Sequence, residues 1–125
     1  VVQAKAPTDK LKHSLAVEQM MRELATGPED DKDDWALAGL LHDIDLAATA
    51  NNLARHGIEG ARMLAELGYS AGVIHAVQAH DDRAGVERTS RMDHALYCAD
   101  QMYWAKAKSA EPSDKVKAEC AVLKK

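Results

Sequence analysis

Apolar positions recur at helical spacing along nearly the whole chain, and no stretch alternates apolar and polar residues with the period of a strand. Thr8 and Asp9 can cap a first helix, whose stripe of Ala16, Val17, Met20 and Leu24 carries it to about Thr26, where Gly27-Pro28 stops it. The acidic stretch from Glu29 to Asp34 favours the N-terminus of a second helix. That helix, Trp35-Ala-Leu-Ala-Gly-Leu-Leu41, is apolar on every side, which predicts burial all round. A third helix starts near His56 and ends before Gly68, and Ser70 caps a fourth that runs to about His80. Ser90 with Asp93 three residues on forms a capping-box pattern for a fifth, and a short amphipathic helix follows Pro112. The pattern predicts an all-α bundle of about five core helices. It forms a single domain over residues 1–125, with its core at about 10–105 and a short helical tail.

Composition narrows this picture. The chain has 125 residues, 46% of them hydrophobic, enough for one packed domain. Phenylalanine is absent, so the core is expected to be Leu, Ala, Val, Ile and Met. The net charge is −4 and the basic residues form no long run, which argues against polymeric nucleic acid as a partner. A small phosphorylated molecule needs only a few cations and stays admissible. Cys98 and Cys120 stand far apart with no CxxC spacing. Neither a disulfide nor a thiolate zinc site is expected, and a reducing cytoplasm is the simplest location. No apolar run is long enough to span a bilayer, and the first residues carry no signal-peptide core, so no membrane partner is expected. The oligomeric state is not legible.

Chemistry enters with the histidines. Residues at i, i+3, i+4 and i+7 share a helix face. On that spacing His13 joins the stripe of the first helix, and His42 ends the apolar second helix. His56 lies with Gly60, Met63, Leu64 and Leu67, and His80 with Val73, Ala76 and Val77. Four histidines thus point inward, whereas His75 and His94 lie on other faces. Asp43 adjoins His42, and Asp100 shares a face with Leu96, Tyr103 and Trp104. Four imidazoles in so small a core are costly unless something satisfies them together, and a buried carboxylate is stable beside a cation. A metal site does both. Imidazole and carboxylate donors suit iron first, and also Mn, Ni, Co or Zn, better than Mg or Ca. Six protein donors exceed what one catalytic ion with an open position needs and match two ions bridged by one carboxylate.

The order His13, His42-Asp43, His56, His80, Asp100 resembles the H…HD…H…H…D signature of the HD-domain superfamily in its dinuclear branch. Gly39-Leu-Leu-His-Asp-Ile-Asp45 resembles the HDIG-type segment, although Asp45 stands where the common pattern has Gly and no Lys follows closely. His56-Gly-Ile-Glu-Gly-Ala61 and Ala95-Leu-Tyr-Cys-Ala-Asp100 resemble the segments that carry the later ligands. The resemblance implies that His13, His42, Asp43 and Asp100 hold a first metal. Asp43 then bridges to a second held by His56 and His80. It also implies a metal-dependent phosphohydrolase acting on a small phosphate ester or nucleotide, in which the metals make hydroxide from water. A smaller branch of the superfamily consists of diiron oxygenases acting on small polar metabolites, the alternative class. Arg55, Arg83 and Arg88 are candidate phosphate contacts, since guanidinium grips two oxygens at once. Asp45 is a candidate acceptor for a ligating histidine, with a base near the metal water or a loop cap as its other readings.

Overall fold

The computed structural model describes residues 7–124, with side chains from residue 10 onward. Among the described residues there are seven α-helices and no strand. The helices are α1 (Pro7–Leu24), α2 (Lys32–Leu41), α3 (Leu46–Thr49), α4 (Ile58–Glu66), α5 (Ala71–Ala79), α6 (Arg91–Ala107) and α7 (Asp114–Ala121). Single 3-10 turns lie at Leu53–Arg55, Asp82–Ala84 and Val122–Lys124. The all-α expectation is met. The four-residue α3 is the element that the apolar pattern did not separate from its loop.

Most of the helices start where a short polar side chain can take a free backbone N–H. Asp31 accepts from the amides of Asp33 and Asp34 at 2.9 and 3.1 Å, and Asp33 and Asp34 add negative charge to the first turn of α2. Ser70, Ser90 and Ser113 each accept from the amide three residues on and so open α5, α6 and α7. The α6 cap is a full capping box, because Asp93 accepts in return from the Ser90 amide at 3.2 Å. At α1 the helix begins earlier than expected, at Pro7, a residue preorganised for a first helical position. The expected caps Thr8 and Asp9 therefore fall inside it, and their side chains lie outside those described.

The core joins Val17 and Met21 of α1, Trp35 and Ala38 of α2, Leu64 of α4, Val73, Ala76 and Val77 of α5, and Leu96 and Ala99 of α6. The closest crossing is between α1 and α2. A Cβ on Gly39 would stand 2.8 Å from the Val17 carbonyl oxygen, so only glycine allows the two backbones this approach. Burial of α2 is not complete all round: Leu37, Leu40 and Leu41 stay half-buried, with Leu41 packed against the core from its edge.

One expectation is overturned here. Cys98 and Cys120 form a disulfide, with Cα atoms 5.2 Å apart across 22 residues of chain. The segment after α6 folds α7 back along α6, and sequence spacing alone carries no sign of that return. Disulfides persist in oxidising surroundings, so cysteine usage no longer argues for a reducing cytoplasm. No described helix is long and apolar enough to cross a membrane.

Candidate metal centre

The ends of helices, more than their faces, deliver the site. His42 is the C-cap of α2 and His80 the C-cap of α5. A helix C-terminus leaves carbonyls without a partner in the helix. His42 Nδ1–H donates to the Gly39 carbonyl at 2.7 Å, and His80 Nδ1–H donates to the Val77 carbonyl at 2.6 Å. The same device is used twice, and in each case it settles the tautomer. A carbonyl only accepts, so Nδ1 carries the proton, and in the neutral ring Nε2 is left with the inward lone pair that a metal would take. The negative end of each helix dipole favours a cation at that place.

His56 was expected inside a helix. It lies just before α4 in extended backbone (φ −62°, ψ 132°), so the shared-stripe reason given for its inward direction does not hold. Asp45 aims it instead. This carboxylate is fully buried, and it accepts from His56 Nδ1–H at 2.6 Å and from the amides of Gly57 and Gly60 at 2.8 and 2.7 Å. Burial by itself would raise the Asp45 pKa, but the His56 hydrogen bond and the two amides hold it below the ordinary carboxylate value. Gly57 makes the turn possible: its φ of +89° is a left-handed conformation, and a Cβ there would meet the Val77 carbonyl at 3.0 Å.

His13, from the middle of α1, closes the group. Its Nε2 lies 2.9 Å from Asp100 Oδ1 and 3.0 Å from His42 Nε2, and its buried Nδ1 has no hydrogen-bond partner among the described residues. His56 and His80 bring their Nε2 atoms within 3.2 Å of each other. Asp43 stands between the two histidine pairs. Its Oδ2 is 3.6 and 3.4 Å from Nε2 of His13 and His42, and its Oδ1 is 2.9 and 3.7 Å from Nε2 of His56 and His80. All six residues singled out as ligands are thus brought together. Their donor atoms form three overlapping groups: His13, His42 and Asp43; His42, His80 and Asp100; Asp43, His56 and His80.

The electrostatics say what this cluster needs. The Nε2 atoms of His42, His56 and His80 face the carboxylates of Asp43 and Asp100. Among the described residues no lysine or arginine pairs with either carboxylate. Burial opposes a charge on His42 and His56. Even so, hydrogen bonds to Asp100 raise the first to about 9, and hydrogen bonds to Asp43 and Asp45 raise the second to about 10. Burial would likewise raise Asp43 and Asp100, but the surrounding histidines hold both well below the ordinary carboxylate range. The site therefore demands positive charge. Two donors at right angles on one ion, each about 2.1 Å from it, stand about 3.0 Å apart, and a tetrahedral pair about 3.4 Å. The 2.9–3.7 Å spacings around Asp43 bracket those two values, and the donor set fits a divalent transition metal.

A cavity of about 260 Å³ opens on the cluster, lined by His13, Asp43, Leu46, Tyr103, Trp104, Lys10 and Lys12. The rings of Tyr103 and Trp104 lie 4.5 and 4.8 Å from that of His13. Of the three candidate phosphate contacts, none lines this cavity. Arg55 pairs with Glu59 at 2.5 Å, and Arg83 pairs with Asp81 through two bonds of 2.9 and 2.7 Å. Arg88 bonds Glu119, Asp82 and the Ala79 carbonyl and stacks over Tyr97. Among the described residues the cations that line the cavity are Lys10 and Lys12, which the reading of the sequence passed over. A signal existed: Lys10 precedes His13 by three residues, which places it on the same helix face.

His75 and His94 stand apart from the cluster and pair with Asp93 and Glu119 at 2.7 and 3.1 Å. No curated protein and no solved structure matches the chain significantly. A family model described as the HD domain matches residues 11–122, which contain all six converging residues, and the chain belongs to that family.

Proposed function

We propose that this chain is a metal-dependent phosphohydrolase that acts on a small phosphate ester or nucleotide through a dinuclear centre. Metal-dependent hydrolysis is the general activity of the family. The observation that carries the finer reading is the division of Asp43, whose two oxygens face different histidine pairs. In this reading His13, His42 and Asp100 would hold one ion, His56 and His80 would hold the other, and Asp43 would contribute to both. Iron, manganese, nickel, cobalt and zinc all suit the donors.

Bound divalent ions supply Lewis acidity, which makes hydroxide available near neutral pH and offsets charge on phosphoryl oxygens. The chain's own part is preorganisation. Gly39 and Val77 fix the Nε2 direction of His42 and His80, and Asp45 fixes that of His56. Tyr103, Trp104 and Leu46 wall the cavity and limit water around the reacting ester. In the reaction the water oxygen bonds to phosphorus as the ester P–O bond breaks, and a proton leaves with the alcohol.

The test is metal counting on chelator-free protein, followed by a panel of phosphate esters under anaerobic conditions with manganese. Two ions per chain and release of phosphate are expected. An inert panel, together with substrate-dependent oxygen uptake by an iron-loaded sample, overturns the hydrolase in favour of the oxygenase class.

A further inference from the structure

We propose that Lys10 and Lys12 select the substrate, seating the dianionic head of a short, non-nucleotide phosphomonoester in the cavity beside Asp43; the proposal rests on the hydrolase reading. Three observations carry it. The cavity shares His13 and Asp43 with the donor cluster, so whatever fills it lies against the reacting centre. Lys10 and Lys12 line it and make no hydrogen bond or ion pair among the described residues, whereas Arg55, Arg83 and Arg88 are each held by a carboxylate elsewhere. The remaining wall is Leu46, Tyr103 and Trp104, which offers contact to a short carbon skeleton.

Charge and size then choose the ligand. Two ammonium groups on flexible stems suit a terminal phosphoryl group with three exposed oxygens and two negative charges. A diester carries one charge and buries two of its oxygens in bonds to carbon. Pockets for drug-sized ligands enclose about 300–1,000 Å³. At about 260 Å³ this cavity holds a phosphoryl group and a few carbons, and a nucleoside would project into solvent.

Calorimetric titration of inorganic phosphate into the metal-loaded chain is the primary test, because it reads the lysines whether or not turnover occurs. Lys12→Ala and Lys10→Ala are each expected to weaken phosphate binding by about tenfold, the effect of losing one charged hydrogen bond. The double variant is expected to lose more, Lys12→Arg to retain most of the affinity, and all four to keep full metal content and an unchanged melting curve. Where esters are turned over, the alanine variants should raise KM for a two- or three-carbon monoester and leave kcat nearly unchanged, the mark of uniform binding. The same esters should be better substrates than nucleoside monophosphates. Unchanged phosphate affinity in the double variant, with metal intact, overturns the assignment of the lysines. Faster turnover of nucleotides than of short esters overturns the substrate class. Absence of turnover on every ester overturns the hydrolase reading instead, and the phosphate titration still decides the role of the lysines.

Discussion

Between α5, α6 and α7, Arg88 meets Glu119 and Asp82, Lys115 adds a bond to Asp82 at 2.8 Å, and His94 meets Glu119 at 3.1 Å. Around Asp43, an equally dense group places four imidazoles against two carboxylates, and among the described residues no lysine or arginine is paired to them. The first group carries cations of its own and closes on itself, so it ties helices together. Among the described residues the second is balanced by protons alone and is open to a cation brought from outside. Density of charged side chains therefore does not mark a site. The informative feature is a set of buried donors whose partners the chain does not supply.

Removing Asp43 should break the contrast most completely. Asp43→Ala is expected to lose both ions per chain, because Asp43 turns one oxygen to each histidine pair, while His56→Ala loses mainly one. Elemental analysis checks both, and two ions retained in Asp43→Ala would end the bridging assignment. Next in size is metal removal from the intact chain. Ligand that binds only the folded state at about 1,000 times its dissociation constant stabilises by about 4 kcal/mol. A strong chelator should therefore lower the melting temperature clearly, and it should do so much less in a chain already carrying Asp43→Ala.

Reduction of Cys98–Cys120 should cost somewhat less. A cross-link closing a loop of this length constrains the unfolded chain by about 3 kcal/mol. Denaturant melts of Cys120→Ser against the oxidised chain measure it, and metal content should be unchanged. The smallest effect concerns the self-balanced group. Glu119→Gln is expected to cost about 2 kcal/mol at neutral pH, the range for hydrogen bonds to a charged group. Burial alone would raise the Glu119 carboxyl, but Arg88 and His94 hold it below its ordinary value of 4.5. Its folded value lies below its unfolded one, so its contribution is present above pH 4.5 and disappears as the pH falls through the folded value. The difference between wild type and Glu119→Gln should shrink over that window, and a constant difference would show that Glu119 acts through packing alone.

Much of this was legible in the chain, for particular reasons. The helix starts at Ser70 and Ser90 were readable because capping is a matter of a few consecutive residues, whereas Thr8 and Asp9 were expected as caps and fall inside α1. The six converging residues were readable because polar groups at apolar positions are conspicuous when their spacing is helical. His56 shows the limit: its inward direction was inferred from a helix that begins only at Ile58, and the actual cause is a hydrogen bond to Asp45, eleven residues back. Arg88 shows another, since a basic residue near a ligand looks the same in sequence whether it faces a cavity or, as here, a glutamate from α7.

Sequence by itself determined the helical class, the caps at Ser70 and Ser90 and the identities of the metal-competent side chains, since all of these depend on residue type and on neighbours within one or two turns. Tertiary structure alone decided the pairing of Cys98 with Cys120, the occupation of Arg88 by Glu119 and the placing of Lys10 and Lys12 beside Asp43. Each of these joins segments more than twenty residues apart. Their meeting is set by how α1, α2, α6 and α7 pack, through contacts such as the Gly39 crossing, and no local pattern in the chain encodes that.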